Sequence, residues 1–364
     1  MPVTLAEASR GTLPALDARV IDEFRKLTPL LDLLTFDDAV NPAGGGATMS
    51  YQYRRLLTQR SASFRQLNTE YTPAEVETVV KTSNLAPLGG SFEIDRVIAE
   101  IGPTFANEIV LQMTQLLKAS SAFFHDQVIN GDTGVISYGF DGLNVGLVGT
   151  STEFRTDVVS NWVDFDTSAQ QNKALDDLDE FLQLLDGEPT VIVSNKQGLA
   201  RVRGLARRAG AYVRSPMDGL TNAAGNPITR EQYGNLVLVD AGEKAGSNQQ
   251  VIPIRSATVG GTAQTGLTDI YAIRMGLDGF HGVTFTGRQL ARTWLPDFST
   301  AGAVKKGEAE LGPVGVALKA SKAAAVWRNV KVRLSSSNLG GPSNGAALPE
   351  LLISITSRED NPHG

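Results

Sequence analysis

One long apolar segment constrains this chain more than any other feature of its sequence. Between residues 103 and 130, large apolar side chains recur at intervals of three, four or seven, the spacing of a helix with one buried face. Pro103 suits the first turn of such a helix, and Gly131 suits its end. The helix would extend for ~40 Å, which is long beside a usual length of about 11–12 residues. The rest of the chain must therefore pack around a spine.

The loop that follows this helix is rich in glycine and aspartate, with the sequence FFHDQVINGDTGVISYGFDGL over residues 123–143. Loops of this composition often hold a metal or a phosphate. A calcium loop needs acids at alternate positions and a later glutamate, whereas Asp132 and Asp141 are nine residues apart with no acid between them. The glycines form no phosphate-binding motif either. We therefore expect a helix stop at Gly131 and a turn into a strand.

The composition leaves few residues for catalysis. The 364 residues include no cysteine and only three histidines, with a net charge of −6. Disulfides, zinc thiolate sites and cysteine nucleophiles are excluded, and no basic surface for nucleic acid is indicated. A match to the nucleophile motif G-x-S-x-G at residues 341–345 lies in a Gly/Ser loop instead of a strand–turn–helix. We predict no catalytic, cofactor-binding or metal-binding residue. The sequence contains no run of 18 apolar residues, so it predicts no membrane-spanning helix.

Residues 48–83 predict a projecting hairpin with segregated charge. Three segments, at 48–59, 61–71 and 75–83, have the composition of strands. Residues 48–66 contain four arginines and no acid, and residues 68–80 contain three glutamates and no base. Because few large apolar residues are available to bury it, we expect this hairpin to find its partners on another subunit. The candidate contact residues are Arg54, Arg55, Arg60, Arg65, Glu70, Glu75 and Glu77.

Residues 166–285 alternate between helix and strand and predict a compact α/β domain, separate from residues 48–95. The segment KALDDLDEFLQLL at 173–185 is an amphipathic helix, TVIVSN at 190–195 is a buried strand, and KQGLARVRGLARRAG at 196–210 is a basic helix. Their charged faces are either solvated or in contact with a neighbouring subunit. The candidate contact residues here are Asp176, Asp177, Arg201, Arg207 and Arg208.

The order of these parts resembles that of the major capsid proteins of tailed bacteriophages, which have the Hong Kong 97-like fold. FFHDQVINGDTGVISYGFDGL resembles the stretch that ends the spine helix in that family, and YAIRMGLDGFHGVTF at 271–285 resembles its late A-domain strand and turn. The resemblance implies an α+β fold divided into an N-terminal arm at 1–47, an extended E-loop hairpin at 48–95, a P-domain at 96–165 with its spine helix at 103–130, a compact α/β A-domain at 166–285, returning P-domain strands at 286–340 and a tail at 341–364.

The resemblance also implies a function. Copies of the chain would form hexamers and pentamers of an icosahedral virion shell, assembled in the host bacterial cytoplasm around double-stranded DNA that is held without sequence specificity. A separate scaffolding protein, a portal and a decoration protein are the candidate partners. Some relatives cross-link lysines of the E-loop, but Lys81 is the only lysine in residues 48–94, and we expect a surface charge. Two alternatives stay open: the shell of an encapsulin nanocompartment, and a soluble α/β enzyme built on residues 166–285.

Overall fold

The computed structural model describes residues 29–40, 49–56, 60–73, 75–100, 104–164, 167–221, 227–247, 249–286 and 290–333. Most of the predicted N-terminal arm, the G-x-S-x-G match and the tail therefore lie outside the described residues. Within them, no helix is both long enough and apolar enough to cross a membrane.

The secondary structure begins with short helices and a hairpin and ends in long strands. The helices are α1 Pro29–Leu33, α2 Arg96–Glu100, α3 Thr104–Asn130, α4 Leu143–Gly146, α5 Ser168–Gln183 and α6 Lys196–Arg208, with a 3-10 turn at Ser321–Ala323. The strands in the first half are β1 Phe36–Val40, β2 Ser50–Leu56, β3 Thr78–Asn84, β4 Ala86–Asp95, β5 Glu153–Phe154, β6 Ser160–Asn161 and β7 Val191–Ser194. Those in the second half are β8 Tyr212–Thr221, β9 Pro227–Tyr233, β10 Leu236–Asp240, β11 Arg255–Val259, β12 Thr262–Ile273, β13 Phe280–Phe285, β14 Ala291–Trp294, β15 Val304–Leu318 and β16 Ala324–Lys331.

The predicted long helix is confirmed as the 27-residue α3. It ends where the sequence indicates, because the Gly131 amide donates to the Gln127 carbonyl at 2.8 Å. A Cβ atom at Gly131 would lie 2.4 Å from the Phe140 carbonyl oxygen, so only glycine fits. The expected turn from this loop directly into a strand is wrong. The loop leads into the short helix α4, and the next strand along the chain is β5. Asp132 and Asp141 shape that loop by accepting hydrogen bonds from the Gly134 and Thr133 amides.

A five-stranded sheet supports α3. Its strands run in the order β1–β13–β15–β14, and β4 also pairs with the long strand β15. β1 and β13 are parallel, and the remaining pairs are antiparallel. The helix packs on β4 and β15. Gly90 allows this close approach, because a Cβ atom there would lie 2.5 Å from Cδ1 of Leu116 on the helix.

A nine-stranded sheet forms the second layer of the body. Its order is β5–β16–β12–β7–β10–β9–β8, with β11 beside β12 and β6 beside β16. Alternate strand residues face opposite sides. Ile192, Ala272 and Trp327 pack with α5 and α6 on one face, while Val193 and Tyr271 share a core with the C-terminal half of α3 on the other. The apolar period of α5 and α6 therefore buries one face of each helix.

The two sheets do not follow the boundaries that the sequence predicted. The strand at 280–285, expected in the A-domain, lies in one sheet with 86–95, which was assigned to the E-loop. The strand at 324–331, expected among the P-domain strands, pairs with β12 in the nine-stranded sheet. An apolar run shows that a strand is buried but does not identify its partner. The predicted strand at 61–71 is also wrong, because that segment is irregular, and the β8–β9 hairpin was missed.

Candidate functional site

The hairpin formed by β2 and β3 projects from the body as a separate two-stranded sheet. Its antiparallel ladder runs from Ser50 opposite Asn84 to Leu56 opposite Thr78. We call the described residues beyond the ladder, 60–73 and 75–77, the hairpin tip; every one of them is exposed. A two-stranded ribbon is marginally stable by itself in water. The tip therefore lacks the burial that orders the rest of the described chain.

Large apolar side chains are exposed along the tip. Phe64 is fully exposed, and Leu67 and Tyr71 are 89% and 61% exposed. Scattered exposed apolar residues are normal on a protein surface, but a cluster of them indicates a place where another molecule binds. These three fall within eight residues of one irregular segment. The tip therefore has the composition of a contact surface.

The charges of the hairpin are arranged differently from the prediction. Arg54 and Arg55 lie on β2, but the single charged residue of β3 is Lys81, which faces Tyr53 across the ladder. The opposite charges meet instead in the tip, which contains Arg60, Arg65, Glu70, Glu75 and Glu77. Arg65 donates to the Thr69 carbonyl at 3.1 Å, and its guanidinium lies 5.4 Å from the centre of the Tyr71 ring. The tip is a mixed surface, not one acidic and one basic arm.

The root of the hairpin is fixed to the body by side chains from both strands. The Tyr53 hydroxyl donates to the Leu318 carbonyl at 2.8 Å, and burial raises the pKa of that hydroxyl. Arg55 donates to the Lys319 carbonyl at 3.0 Å, and the Ser83 hydroxyl donates to the Val316 carbonyl. Arg55, a candidate contact residue for another subunit, is thus engaged within its own chain. The tip extends beyond this anchored root.

Most candidate contact residues of the α/β layer also have partners in their own chain. Asp177 is buried and accepts two hydrogen bonds from the Arg155 guanidinium, at 2.8 and 2.5 Å. Arg201 donates to the Val332 carbonyl at 3.2 Å, and the Arg207 guanidinium lies 5.1 Å from the centre of the Tyr212 ring. Asp176 and Arg208 are exposed. The structure therefore brings these residues to one layer without joining them to the hairpin.

The nine-stranded sheet contains a buried polar network that the sequence did not predict. Asp269 on β12 accepts hydrogen bonds from Arg255 at 2.7 and 3.0 Å and from Arg328 at 3.2 Å. Arg328 also pairs with Glu153 at 2.9 Å and donates to Asn144. The network ties the sheet to the segment that follows α3. The one available signal was an aspartate directly before the apolar run at 270–273 of β12, since a buried charge requires a partner.

Several solved chains share this architecture. The chain of a holo-SrpI encapsulin complex from Synechococcus elongatus PCC 7942 matches with a TM-score of 0.55 and 14% identity, over 92% of this chain and 98% of that one. The capsid protein of a native GTA particle matches with a TM-score of 0.53 and 13% identity, over 87% and 95%. A Mycobacterium phage Bobi chain matches with a TM-score of 0.51 and 13% identity, over 90% and 99%.

The chain has the Hong Kong 97-like fold. The α+β fold class expected from the order of the parts is thereby confirmed. No family model and no curated protein matches the sequence.

Proposed function

We propose that this chain is the major capsid protein of a tailed phage, and that its copies assemble into the icosahedral head shell enclosing the double-stranded DNA genome. The observation that carries the proposal is the exposed hairpin tip on a Hong Kong 97-like body. Phe64, Leu67 and Tyr71 are exposed, and a neighbouring copy of the chain would bury them. A second copy of the same chain can be this partner, so that no other protein is required.

The energetics of a closed shell suit such a contact. A single exposed ion pair contributes only about 0.2–1 kcal/mol, and three apolar side chains contribute about 1.5–3 kcal/mol each when fully buried. Because association costs about 4–15 kcal/mol in lost translational and rotational freedom, one hairpin is a weak link by itself. Closed symmetry repeats the link around every subunit, so that each copy is held by several neighbours at once. In this role the chain needs no catalytic centre, and we propose that it is not an enzyme.

The remaining partners follow from the proposed role. The copies would form hexamers and pentamers, with a portal at one vertex, a separate scaffolding protein during assembly and a decoration protein on the finished shell. DNA would be enclosed without sequence-specific contacts. Assembly would take place in the cytoplasm of the host bacterium, and the finished protein would reside in the virion capsid.

A second candidate function is the shell of an encapsulin nanocompartment. It is supported by the match to the Synechococcus elongatus encapsulin chain, whose TM-score of 0.55 is as high as those of the phage and GTA chains. Both candidates require the same closed shell and differ in its content. The content must therefore be measured.

The test is to isolate the native particles and to determine their form and content. We expect closed icosahedral shells by electron microscopy, with nuclease-resistant double-stranded DNA of uniform length inside them. Shells that contain a folded enzyme in place of DNA would support the nanocompartment. A small soluble oligomer by size-exclusion chromatography, with no shell under any assembly condition, would overturn both candidates and favour the α/β enzyme.

A further inference from the structure

A buried histidine lies directly beneath the root of the hairpin. His281, on β13, is fully buried. Neither of its ring nitrogens makes a hydrogen bond of normal geometry with any residue that the structure describes. Leaving a buried polar group without a partner is unfavourable, so such a residue calls for an explanation.

Three side chains from three different segments surround this imidazole. The Tyr51 ring of the hairpin packs against it at 86°, with a centroid distance of 5.9 Å. Oδ2 of Asp37, on β1, lies 3.9 Å from Nε2 of His281. The same oxygen lies 3.7 Å from Nζ of Lys319 and accepts a hydrogen bond from the Tyr51 hydroxyl at 3.3 Å. Nζ of Lys319 also lies 5.4 Å from the centre of the Tyr51 ring. The carboxylate is thus already shared between the hairpin and a lysine.

This closed arrangement has little capacity for another positive charge. Burial and then the Lys319 ammonium lower the pKa of His281, while Asp37, the Gly279 carbonyl and Asp278 act in the opposite direction but do not offset them. A protonated imidazole would place a second cation beside a carboxylate that Lys319 already neutralises. Its charge would also be without water, because the ring is fully buried.

We propose that His281 is a proton-operated latch: the neutral ring lets the hairpin root close over it, and protonation favours a state in which Tyr51 has moved away. The open root gives the imidazole water and breaks the Tyr51–Asp37 hydrogen bond. Acid therefore shifts the population towards the open root, because the open state binds the proton more tightly. The anchors formed by Tyr53, Arg55 and Ser83 hold backbone carbonyls, and no carboxylate takes part in them.

The expected size of the effect follows from linkage. An open root exposes a histidine with an ordinary pKa of about 6.5, so lowering the pH from 7 to 5 should favour opening by up to about 25-fold. The measurement is amide hydrogen exchange of the unassembled full chain at the hairpin root, at 50–53 and 81–85. The Leu85 amide, which donates to the Met49 carbonyl at 2.9 Å, is one reporter.

The comparison protein is His281→Phe, which retains an aromatic ring but cannot take up a proton. Wild type and variant are measured at the same pH, so that the intrinsic pH dependence of exchange cancels. The ratio of their protection factors at the root should fall by up to about 25-fold between pH 7 and pH 5. A ratio that is the same at both pH values would overturn the proposal. His125→Phe serves as the matched control, because its histidine is buried on α3; it should retain the wild-type acid response at the root.

A second variant keeps the test decisive even where His281→Phe does not fold. Lys319→Met removes the competing ammonium from a half-buried position, so that the imidazolium meets Asp37 without a second cation beside it and the closed root can accept the proton. The acid response of the root should then become smaller than in wild type. A response of unchanged size in Lys319→Met would contradict the latch.

The consequence for a shell rests on the proposed function. If hairpins link neighbouring subunits, acid would loosen those links at their roots before the packed body unfolds. The exchange experiment uses the unassembled chain, so its outcome does not depend on whether shells form. A failed latch and a failed shell are therefore distinguishable results.

Discussion

The hairpin tip and the packed body contain the same kinds of charged residues but use them differently. In the body, Asp177 pairs with Arg155 and Arg203 pairs with Glu231 at 3.2 Å. In the tip, arginines and glutamates are exposed beside fully exposed apolar side chains such as Phe64. A charged pattern alone therefore does not identify an inter-subunit surface. Exposed apolar side chains on a ribbon without a covering layer are the better indicator.

The difference has a geometric cause. A helix packed on a sheet brings its polar flanks next to the loops and strand ends around it, where a long arginine side chain can reach a carboxylate or a carbonyl. A two-stranded ribbon has no such neighbours beyond its root. Asp177 on α5 and Arg201 on α6 therefore find partners in the packed body, whereas every charged side chain of the tip is exposed.

The largest effect on stability is expected from replacing Asp177 on α5, and a much smaller one from replacing its neighbour Asp176. Replacing Asp177 by alanine leaves the Arg155 guanidinium partly buried without its carboxylate, and should lower the free energy of unfolding by about 3 kcal/mol. Replacing its neighbour Asp176, which is exposed, should change stability by no more than about 0.5 kcal/mol. Both variants are measured by chemical denaturation at pH 7. Equal effects would show that pairing within the body stabilises the chain no more than an exposed carboxylate does.

The sequence predicted the helices and strands of the body better than it predicted which side chains pair with each other. The period of α3 and the buried run of β7 are local signals, and both elements appear where expected. Asp177 was instead expected to face another subunit, because its partner lies 22 residues away. Arg155 reaches it from a left-handed backbone conformation, φ 54°, which no sequence pattern indicated.

The same limit applies to the candidate site. The projecting hairpin was predictable because its residues offer little to bury, but the irregular tip has the composition of a strand and was predicted as one. The anchoring of Arg55 to the carbonyl of Lys319 joins residues 264 positions apart. Contacts of that separation depend on how the whole chain packs, so local composition does not determine them.

An intermediate effect is expected from acid, because the body contains a buried histidine whereas the described titratable residues of the tip are all exposed. Burial lowers the pKa of His125 to about 4. The unfolded chain, with a histidine pKa of about 6.5, therefore binds the proton more readily, and stability is lost as the pH falls from about 6.5 towards 4. At pH 5 this residue should cost about 2 kcal/mol relative to pH 7.

The measurement is urea denaturation of wild type and His125→Phe at pH 7 and pH 5. Carboxylates and His281 contribute to the acid dependence of both proteins, so the difference between them isolates His125. We expect the variant to lose about 2 kcal/mol less than wild type over this interval. Parallel losses in the two proteins would mean that His125 does not titrate as a buried neutral residue.

Substitutions in the tip should have the smallest effect on the free energy of unfolding and the largest effect on assembly. Replacing Phe64 and Leu67 by serine removes side chains that contact little in their own chain, so the free energy of unfolding should stay within about 0.5 kcal/mol of wild type. Val135 and Tyr138, which are 80% and 81% exposed on the loop after α3, offer a matched control with the same two changes to serine. If the tip binds a neighbouring copy, the tip variant should remain unassembled by sedimentation while the control forms shells. Shells of normal yield from the tip variant would place the subunit contact elsewhere and reduce the tip to an ordinary exposed loop.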